Sequence, residues 1–198
     1  MFMNLLRKIW GIVIAAIISS CHSGTFDTIS PDGTLKVGVV TTKDGDYGKA
    51  AFVVHYKGDS ILFRSELGLE TDAQKFAGNL RLKSVSEPKS VIDDYKMITG
   101  KRSHCVNEAS ERVYSLENDE GQILEVTFRV YNDGIAFKYG LKAISDEEHI
   151  INEYTAYALP KGSKRWIQQY DPGYEKFFPL STDCLLYTSP SPRDGLLS

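Results

Sequence analysis

The clearest alternation of hydrophobic and polar positions runs from residue 122 to residue 141. In the stretch QILEVTFRVY, four apolar side chains share one parity: Leu124, Val126, Phe128 and Val130. The stretch IAFKYGL repeats the pattern, and Asn-Asp-Gly stands between the two. A period of two is typical of a half-buried strand, and a short loop of Asn, Asp and Gly joins antiparallel strands. The sequence therefore predicts a β-hairpin here.

Shorter patterns predict further strands on both sides of this hairpin. A Pro-Asp-Gly turn precedes alternating apolar positions at 35–39. The stretch 50–63 is apolar on both parities, which predicts burial on both faces, and its Lys-Gly-Asp step predicts a tight turn. A strand is also expected at 112–117, followed by a turn at 118–121.

The rest of the chain is less regular. Residues 69–89 fit either a helical turn or an irregular strand, and a further strand is expected within 149–159. No helical pattern longer than two turns follows residue 27. Strands with turns every eight to twelve residues or so are typical of an antiparallel sandwich. The sequence therefore predicts an all-β fold, an antiparallel β-sandwich.

The N-terminus differs from this pattern. Arg7 and Lys8 precede an apolar run at 9–18, which is shorter than the ~20 residues that span a bilayer. This order predicts a secretory signal peptide. The Ser-Ser-Cys step ending at Cys21 resembles a bacterial lipobox, in which Cys21 becomes the lipidated first residue and 22–27 a tether. The alternative is an ordinary signal peptide that contains a cysteine.

Composition narrows the functional classes. The 198 residues are 42% hydrophobic and 25% charged, which fits one globular domain with a sizeable core. The net charge of -3 argues against a basic surface that binds nucleic acid. With Cys21 assigned to lipid and Cys184 in the C-terminal tail, Cys105 has no disulfide partner, and we interpret it as a half-buried small apolar residue.

No nucleophile elbow, phosphate loop, dinucleotide fingerprint or zinc helix is present. His55 lies in an apolar strand and is interpreted as a hydrogen-bonded sheet residue rather than a ligand. Two carboxylate pairs, at 93–94 and 147–148, are adjacent in sequence. Adjacent residues of a strand face opposite ways, so neither pair can act as a general acid and base together. We interpret both pairs as solvated charge.

Two stretches contain denser chemistry. GKRSHCVNEASE concentrates five polar side chains: Lys101, Arg102, His104, Asn107 and Glu108. WIQQYDPGYEKFFP places aromatic rings beside carboxylates: Trp166, Tyr170, Tyr174, Phe177 and Phe178 beside Asp171 and Glu175. Rings beside carboxylates suit sugar binding, and such a carboxylate can also join a calcium site. The alternative is an aromatic cluster that closes one end of the sandwich.

Five motifs in order resemble the N-terminal domain of glycoside hydrolase family 97: SPDGTLKVGV, YKGDSILFRSELGL, GKRSHCVNEASE, RVYNDGIAFKY and ALPKGSKRWIQQYDPGYEKFFP. YNDGIAFKY is the most characteristic of them. The resemblance covers about residues 28–180. It implies a β-super-sandwich like that of galactose mutarotases, followed in family members by a (β/α)8 barrel and a small β-domain.

The resemblance also implies function. Family members are exported, calcium-dependent bacterial α-glucosidases or α-galactosidases that act on α-linked oligosaccharides. Their catalytic carboxylates and most calcium ligands lie on the barrel, and one glutamate comes from the N-terminal domain. Glu175 is the matching position here. No catalytic residue is assigned, so this polypeptide alone is expected not to hydrolyse glycosides. Its expected location is the periplasm or outer membrane of a Gram-negative bacterium, with a lipid anchor.

Two other functions stay open. The chain could be a free-standing lipoprotein module that binds a glycan on its aromatic stretch. The third possibility is a mutarotase-like enzyme, which needs a general acid and base in its cleft, commonly a His and a Glu. The scattered histidines offer no such pair. This function ranks last.

The last stretch breaks the pattern. CLLYTSPSPRD, from Cys184, resembles the translation of a transposase adapter end used in sequencing libraries. The family pattern stops where this stretch begins. We therefore assign the domain to 28–183 and expect residues 184–198 to be an adapter-derived tail without packing. The alternative is a natural Ser/Pro linker.

Overall fold

Antiparallel strands make up the regular structure of the part of the chain that can be described. The computed structural model describes residues 28–42, 46–145, 147–166, 171–173, 175–181 and 187–188. Within those residues no helix has the length and apolar character needed to cross a membrane. The predicted signal peptide, with Cys21 and the tether, lies outside the described residues.

The first sheet contains four antiparallel strands in the order β1-β2-β3-β4. They are β1 (Thr28–Ile29), β2 (Leu35–Thr41), β3 (Ala50–Tyr56) and β4 (Asp59–Leu67). The predicted turn between β3 and β4 is confirmed, since Lys57 and Gly58 have φ values of 50° and 95°. Two positive φ values are what a tight hairpin turn of this kind needs.

The second sheet contains the predicted hairpin. Its strands are β7 (Leu80–Val85), β8 (Lys89–Lys96), β9 (His104–Asn118), β10 (Ile123–Tyr131) and β11 (Ile135–Leu141). Four of them follow the order β11-β10-β9-β7, and β8 also pairs with β9. The strand expected at 112–117 is therefore much longer than predicted, because two partners share its length on one side.

The remaining strands are short. They are β5 (Leu69–Thr71), β6 (Lys75–Phe76), β12 (Ile150–Glu153), β13 (Ala156–Tyr157), β14 (Arg165–Trp166), β15 (Leu180–Ser181) and β16 (Tyr187–Thr188). Strands β12, β5 and β6 form a small third sheet. Residues 69–89 thus form strands, not the alternative helical turn. The strand expected within 149–159 is divided into β12 and β13.

One expectation about the tail is wrong. Strand β16 pairs antiparallel with β13, with Ala156 opposite Thr188. The backbone at 187–188 is therefore paired, although residues 184–198 were expected to be unpacked. The other residues of that tail, including Cys184, lie outside the described residues.

The core lies between the two larger sheets. The alternation predicted for β10 is confirmed, since its four inward side chains are fully buried. The centroid of the Phe128 ring lies 5.6 Å from that of Phe52 in the first sheet and 5.8 Å from that of Tyr114 in β9. The prediction of burial on both faces holds for the start of β3 but is wrong for Ile61 and Phe63 of β4, which are exposed.

The two ends of the sandwich differ. At one end the turn at 132–134 meets the turn after β1, where the Asp32 backbone N–H donates to Asn132 Oδ1 at 3.0 Å. Beyond this end the β8–β9 hairpin continues past the last residue of β10. We call this hairpin, residues 91–109, the arm, and this end the arm end. The opposite end carries β5, β6 and β12, and we call it the far end.

Candidate functional site

The aromatic and acidic stretch that the sequence singled out lies between two short paired strands. Arg165 pairs with Ser181, and Trp166 pairs with Leu180. This pairing joins the two ends of the stretch. We call residues 165–181 the aromatic loop. Its residues 167–170 and 174, including Tyr170 and Tyr174, lie outside the described residues.

Asp171 holds a turn within the aromatic loop. Its Oδ1 accepts a hydrogen bond from the Gly173 backbone N–H at 2.9 Å, and its Oδ2 lies 2.9 Å from Lys176 Nζ. The hydrogen bond from Lys176, followed by that from Gly173, lowers the pKa of the Asp171 carboxyl. Both oxygens of this carboxylate are therefore engaged, and its role in the loop is structural.

Glu175 has a different environment, although it is only four residues away. Its side chain is exposed and makes no hydrogen bond or ion pair with any described residue. The ion pair between Asp171 and Lys176 joins residues that lie before and after it in the sequence. This carboxylate is therefore presented to solvent with both oxygens available to a cation or a hydroxyl group.

The rings of the aromatic loop are also exposed. Phe177 is 95% exposed, and Trp166 and Phe178 are more than half exposed. An aromatic cluster that closes the end of the sandwich would bury these rings, so that interpretation is wrong for these three side chains. Exposed rings next to a free carboxylate suit a contact surface for another molecule or domain.

The second dense stretch, GKRSHCVNEASE, lies on the arm. His104 Nε2 is 2.6 Å from Asp94 Oδ1, and Ser90 Oγ donates to Glu108 Oε1 at 3.3 Å. Cys105 is half-buried, as predicted. The side chains of this stretch alternate between the two faces of a strand, so they do not converge on one point.

Sequence reasoning missed an ionic cluster on the outer face of the second sheet. Arg129 donates from Nε to Glu111 at 2.6 Å and from Nη1 to Asp93 at 3.1 Å. The Tyr131 hydroxyl donates to Asp93 Oδ2 at 2.8 Å. The bond to Glu111 is the largest cause of the raised pKa of Arg129, and the bond to Asp93 raises the pKa of Tyr131. Asp93 is thus paired and is not the solvated charge that we expected.

Glu148 also departs from its predicted role. Its Oε1 accepts from Thr71 at 2.5 Å and from Gln74 at 2.8 Å, and its Oε2 accepts from the Ile144 backbone at 2.6 Å. The Thr71 bond is the largest cause of the lowered pKa of this carboxyl. Glu148 therefore anchors a loop to the third sheet, whereas Glu147 is exposed.

Glycoside hydrolysis needs two carboxyl groups about 5–10 Å apart, and three clefts of the described residues differ in how many they contain. A cleft of about 460 Å³ at the arm end is lined by one carboxylate, Asp133. On the second sheet, a cleft of about 260 Å³ contains no carboxylate, and a cleft of about 270 Å³ contains one, Glu125. None of the three contains a histidine, so none holds the His–Glu pair of a mutarotase.

The metal-binding potential is equally limited. No group of three or more His, Cys, Asp or Glu side chains is arranged to hold a metal ion among the residues that the structure describes. Calcium takes about six to eight oxygen ligands, so Glu175 by itself fits one position of such a site and no more.

The fold and sequence were then compared with known proteins. A family profile described as "Glycosyl-hydrolase 97 N-terminal" matches residues 29–184. The "Probable retaining alpha-galactosidase" of Streptomyces bingchenggensis (strain BCW-1) is 27% identical over 135 residues, which cover 68% of this chain and 21% of that protein.

Solved structures give the same result. A crystal structure of a beta-arabinopyranosidase is 27% identical with a TM-score of 0.69, covering 77% of this chain and 26% of that one. A glycoside hydrolase family 97 enzyme from Pseudoalteromonas sp. strain K8, in complex with acarbose, has the same fold at 19% identity. Its TM-score is 0.66, with coverage of 78% and 24%.

These likenesses define the molecule as an N-terminal β-sandwich domain of glycoside hydrolases. The chain belongs to the glycoside hydrolase family 97 N-terminal domain family, as its motifs predicted. It spans about a fifth to a quarter of the length of the relatives that it matches.

Proposed function

We propose that this chain is the N-terminal domain of an exported, calcium-dependent α-glycosidase of the family 97 type. The sandwich supports a (β/α)8 barrel that carries the catalytic carboxylates, and Glu175 gives one ligand to the calcium ion. The substrate of the whole protein is an α-linked oligosaccharide. The names of the two relatives that are 27% identical, an α-galactosidase and a β-arabinopyranosidase, support a glycoside as the substrate class.

The observation that carries this proposal is the free carboxylate of Glu175. The neighbouring carboxylate, Asp171, is engaged by Gly173 and Lys176, whereas Glu175 faces solvent without a partner among the described residues. Calcium, when bound, orders oxygen ligands and substrate around its charge. The contribution of this chain is to hold one such ligand at a fixed place beside exposed aromatic rings.

Export and anchoring belong to the same proposal. The charged pair Arg7–Lys8, the short apolar run and Cys21 support a lipoprotein signal. Lipidation at Cys21 then holds the protein at a membrane, and residues 22–27 separate the anchor from β1. The expected compartment is the periplasm or the outer membrane of a Gram-negative bacterium.

The proposal is tested by calcium dependence in a fusion protein. Residues 28–181 replace the matched fifth of the Streptomyces α-galactosidase, and activity is measured against free calcium. We expect Glu175→Gln to raise the calcium concentration for half-maximal activity at least tenfold, because a ligand is lost. Glu153→Gln, which changes another exposed glutamate, is the control and leaves it unchanged.

Two results would contradict the proposal. One is a calcium dependence that is the same for Glu175→Gln and for the unchanged fusion. The other is tight calcium binding by the isolated chain in a calorimetric titration, because one carboxylate is a poor site for this ion.

A free-standing glycan-binding module is the second candidate. The exposed rings of Trp166, Phe177 and Phe178 favour it, since aromatic rings cover the apolar faces of sugars. Binding of the isolated chain on a glycan array, lost on Phe177→Ala, would favour this function over the first.

A further inference from the structure

The arm extends beyond the body of the sandwich. Tyr131, the last residue of β10, pairs with Ala109 of β9, so residues 104–108 have no partner on the β10 side. They pair only with β8, from Ile92 opposite Glu108 to Lys96 opposite His104. Five residues at about 3.3 Å each extend the arm roughly 16 Å past the sheet. A two-stranded hairpin has little stability by itself in water, so such an arm gains from a partner.

Outside the aromatic loop, more of the exposed apolar side chains lie at the arm end than at the far end. Those of the arm end are Tyr56, Ile61, Ile92, Tyr95, Met97, Ile98 and Val106, and those of the far end are Ile144, Ile150 and Ile151. Ile98 at the tip is 102% exposed, and Ile92 is 66% exposed. Val106 and Ile92 lie on the arm face that continues the core-facing side of β9, since they share its parity with Tyr114.

The arm tip also has one sign of charge. The nine residues from Lys96 to His104 include Lys96, Lys101 and Arg102 and no carboxylate. The chain as a whole has a net charge of -3, so this cluster of cations is local. A partner that receives the tip is therefore expected to present an apolar recess with acidic residues at its rim.

The backbone of residues 154–158 runs towards the arm end. The Tyr154 N–H donates to the Gly68 carbonyl at 2.9 Å, and the Phe63 N–H donates to the Ala158 carbonyl at 2.8 Å. Residues 154–158 therefore run antiparallel to β4, from its far-end residue Leu67 towards Asp59.

A cleft at the arm end could accept apolar side chains. It has a volume of about 460 Å³ and opens between the two sheets. Its floor is aliphatic, with Leu35, Val54, Leu62 and Ile135, and Tyr56 and Asp133 lie among its other lining residues. The cleft is thus an unfilled continuation of the hydrophobic core.

We propose that the arm end is the surface on which the rest of a longer polypeptide packs, with Ile98 and the Ile92–Val106 face as its hydrophobic anchors. This inference rests on the proposed function, because it names the surface that meets the proposed barrel. The relatives' lengths support this occupant: the matched regions are 21% and 26% of their chains, so most of each relative lies outside the sandwich.

Hydrogen exchange measured by mass spectrometry tests this surface directly. The full chain is mixed with the Streptomyces α-galactosidase from which the matched fifth has been deleted. We expect a complex in which amides of β8 and of residues 104–108 exchange at least tenfold more slowly than in the chain alone. Amides of β12 at the far end serve as the internal control and keep their rates.

Matched variants separate docking from stability. Ile98→Asp is expected to weaken the complex at least tenfold, and Ile151→Asp, an exposed isoleucine of β12, less than twofold. Lys101→Glu is expected to weaken it more at low salt than at high salt, since salt screens exposed charges. None of the three is expected to change the unfolding of the chain alone appreciably, because all three side chains are exposed.

The outcomes distinguish the inference from the proposed function. A complex without protection of the arm overturns the inference and leaves the proposed function intact. The absence of any complex contradicts both. Concentration-dependent protection of the arm in the chain alone would show that a second copy is the occupant, and it would also overturn the inference.

Discussion

The two halves of β9 have the same backbone conformation and opposite surroundings. From Ala109 to Asn118 the strand lies between β10 and the partners β7 and β8, and Tyr114 and Leu116 are completely buried. From His104 to Glu108 it pairs with β8 alone, and Val106 is more than half exposed.

Because of this difference, one half of β9 stabilises the fold and the other half can contact a partner. The core half is held by packing of both sheets, so Tyr114 and Leu116 are not accessible to a partner. The arm half is held by one ladder of hydrogen bonds, so apolar side chains remain accessible at low cost to the fold. A strand that continues past its sheet thus provides a contact surface whose position the core still fixes.

The largest expected change in the free energy of unfolding comes from a substitution in the core next to Tyr114 of β9. Phe128→Ala removes a ring whose centroid lies 5.3–5.8 Å from the ring centroids of Phe52, Tyr114 and Phe137. We expect it to lower the free energy of unfolding by about 3–5 kcal/mol, because a cavity remains in the core. Urea unfolding followed by circular dichroism measures this change.

Ile98→Ala is the matched change on the arm. Because Ile98 is completely exposed, we expect the free energy of unfolding to change by less than about 0.5 kcal/mol. Similar losses for the two variants would show that the arm belongs to the cooperative core, and the comparison between the halves of β9 would fail.

A smaller effect is expected from the acidic side chain at the core end of β9. Glu117 accepts from Lys83 at 2.6 Å and from Arg81 at 2.5 Å, and these bonds lower the pKa of its carboxyl below 4.5. A lowered folded-state pKa stabilises the protein above the unfolded-state value, and the contribution is lost as the pH falls through the folded-state pKa. Lowering the pH should therefore remove the contribution of Glu117 to stability.

The melting temperature measured from pH 7 to pH 3 tests this sign. We expect Glu117→Gln to melt below wild type at pH 7 and the gap to narrow under pH 4.5. Glu108→Gln, at an exposed position on the arm half, is the control and should follow the wild-type curve. A gap for Glu117→Gln that stays constant over the whole range would contradict the account.

Much of the fold was predictable because local signals agreed with the final packing. The parity of Phe128 and its neighbours, together with the Asn-Asp-Gly turn, predicted β10 and β11 correctly. The irregular region 69–89 was not predictable, because its short strands depend on partners far away in sequence, such as β12 for Leu69. The length of β9 was missed for the same reason, since β8 is what extends it.

The site was predictable only in part. The aromatic loop was found from composition, but not which of its carboxylates is free. Lys176 engages Asp171 across a turn, and this geometry is not visible in spacing. The cluster around Arg129 could have been found by aligning β10 with β9, which places Arg129 opposite Glu111. The link to Asp93 depends on the β8 pairing that was also missed.

The main proposal is that this chain supplies a supporting domain and that the catalytic carboxylates lie on a barrel outside it. Its most direct test is hydrolysis of 4-nitrophenyl α-glucoside and 4-nitrophenyl α-galactoside by the purified chain in the presence of calcium. This proposal predicts no release of 4-nitrophenol above the rate in buffer, because glycoside hydrolysis needs two carboxyl groups across the scissile bond and the proposal places both on the barrel. Reproducible turnover by the chain alone would contradict it.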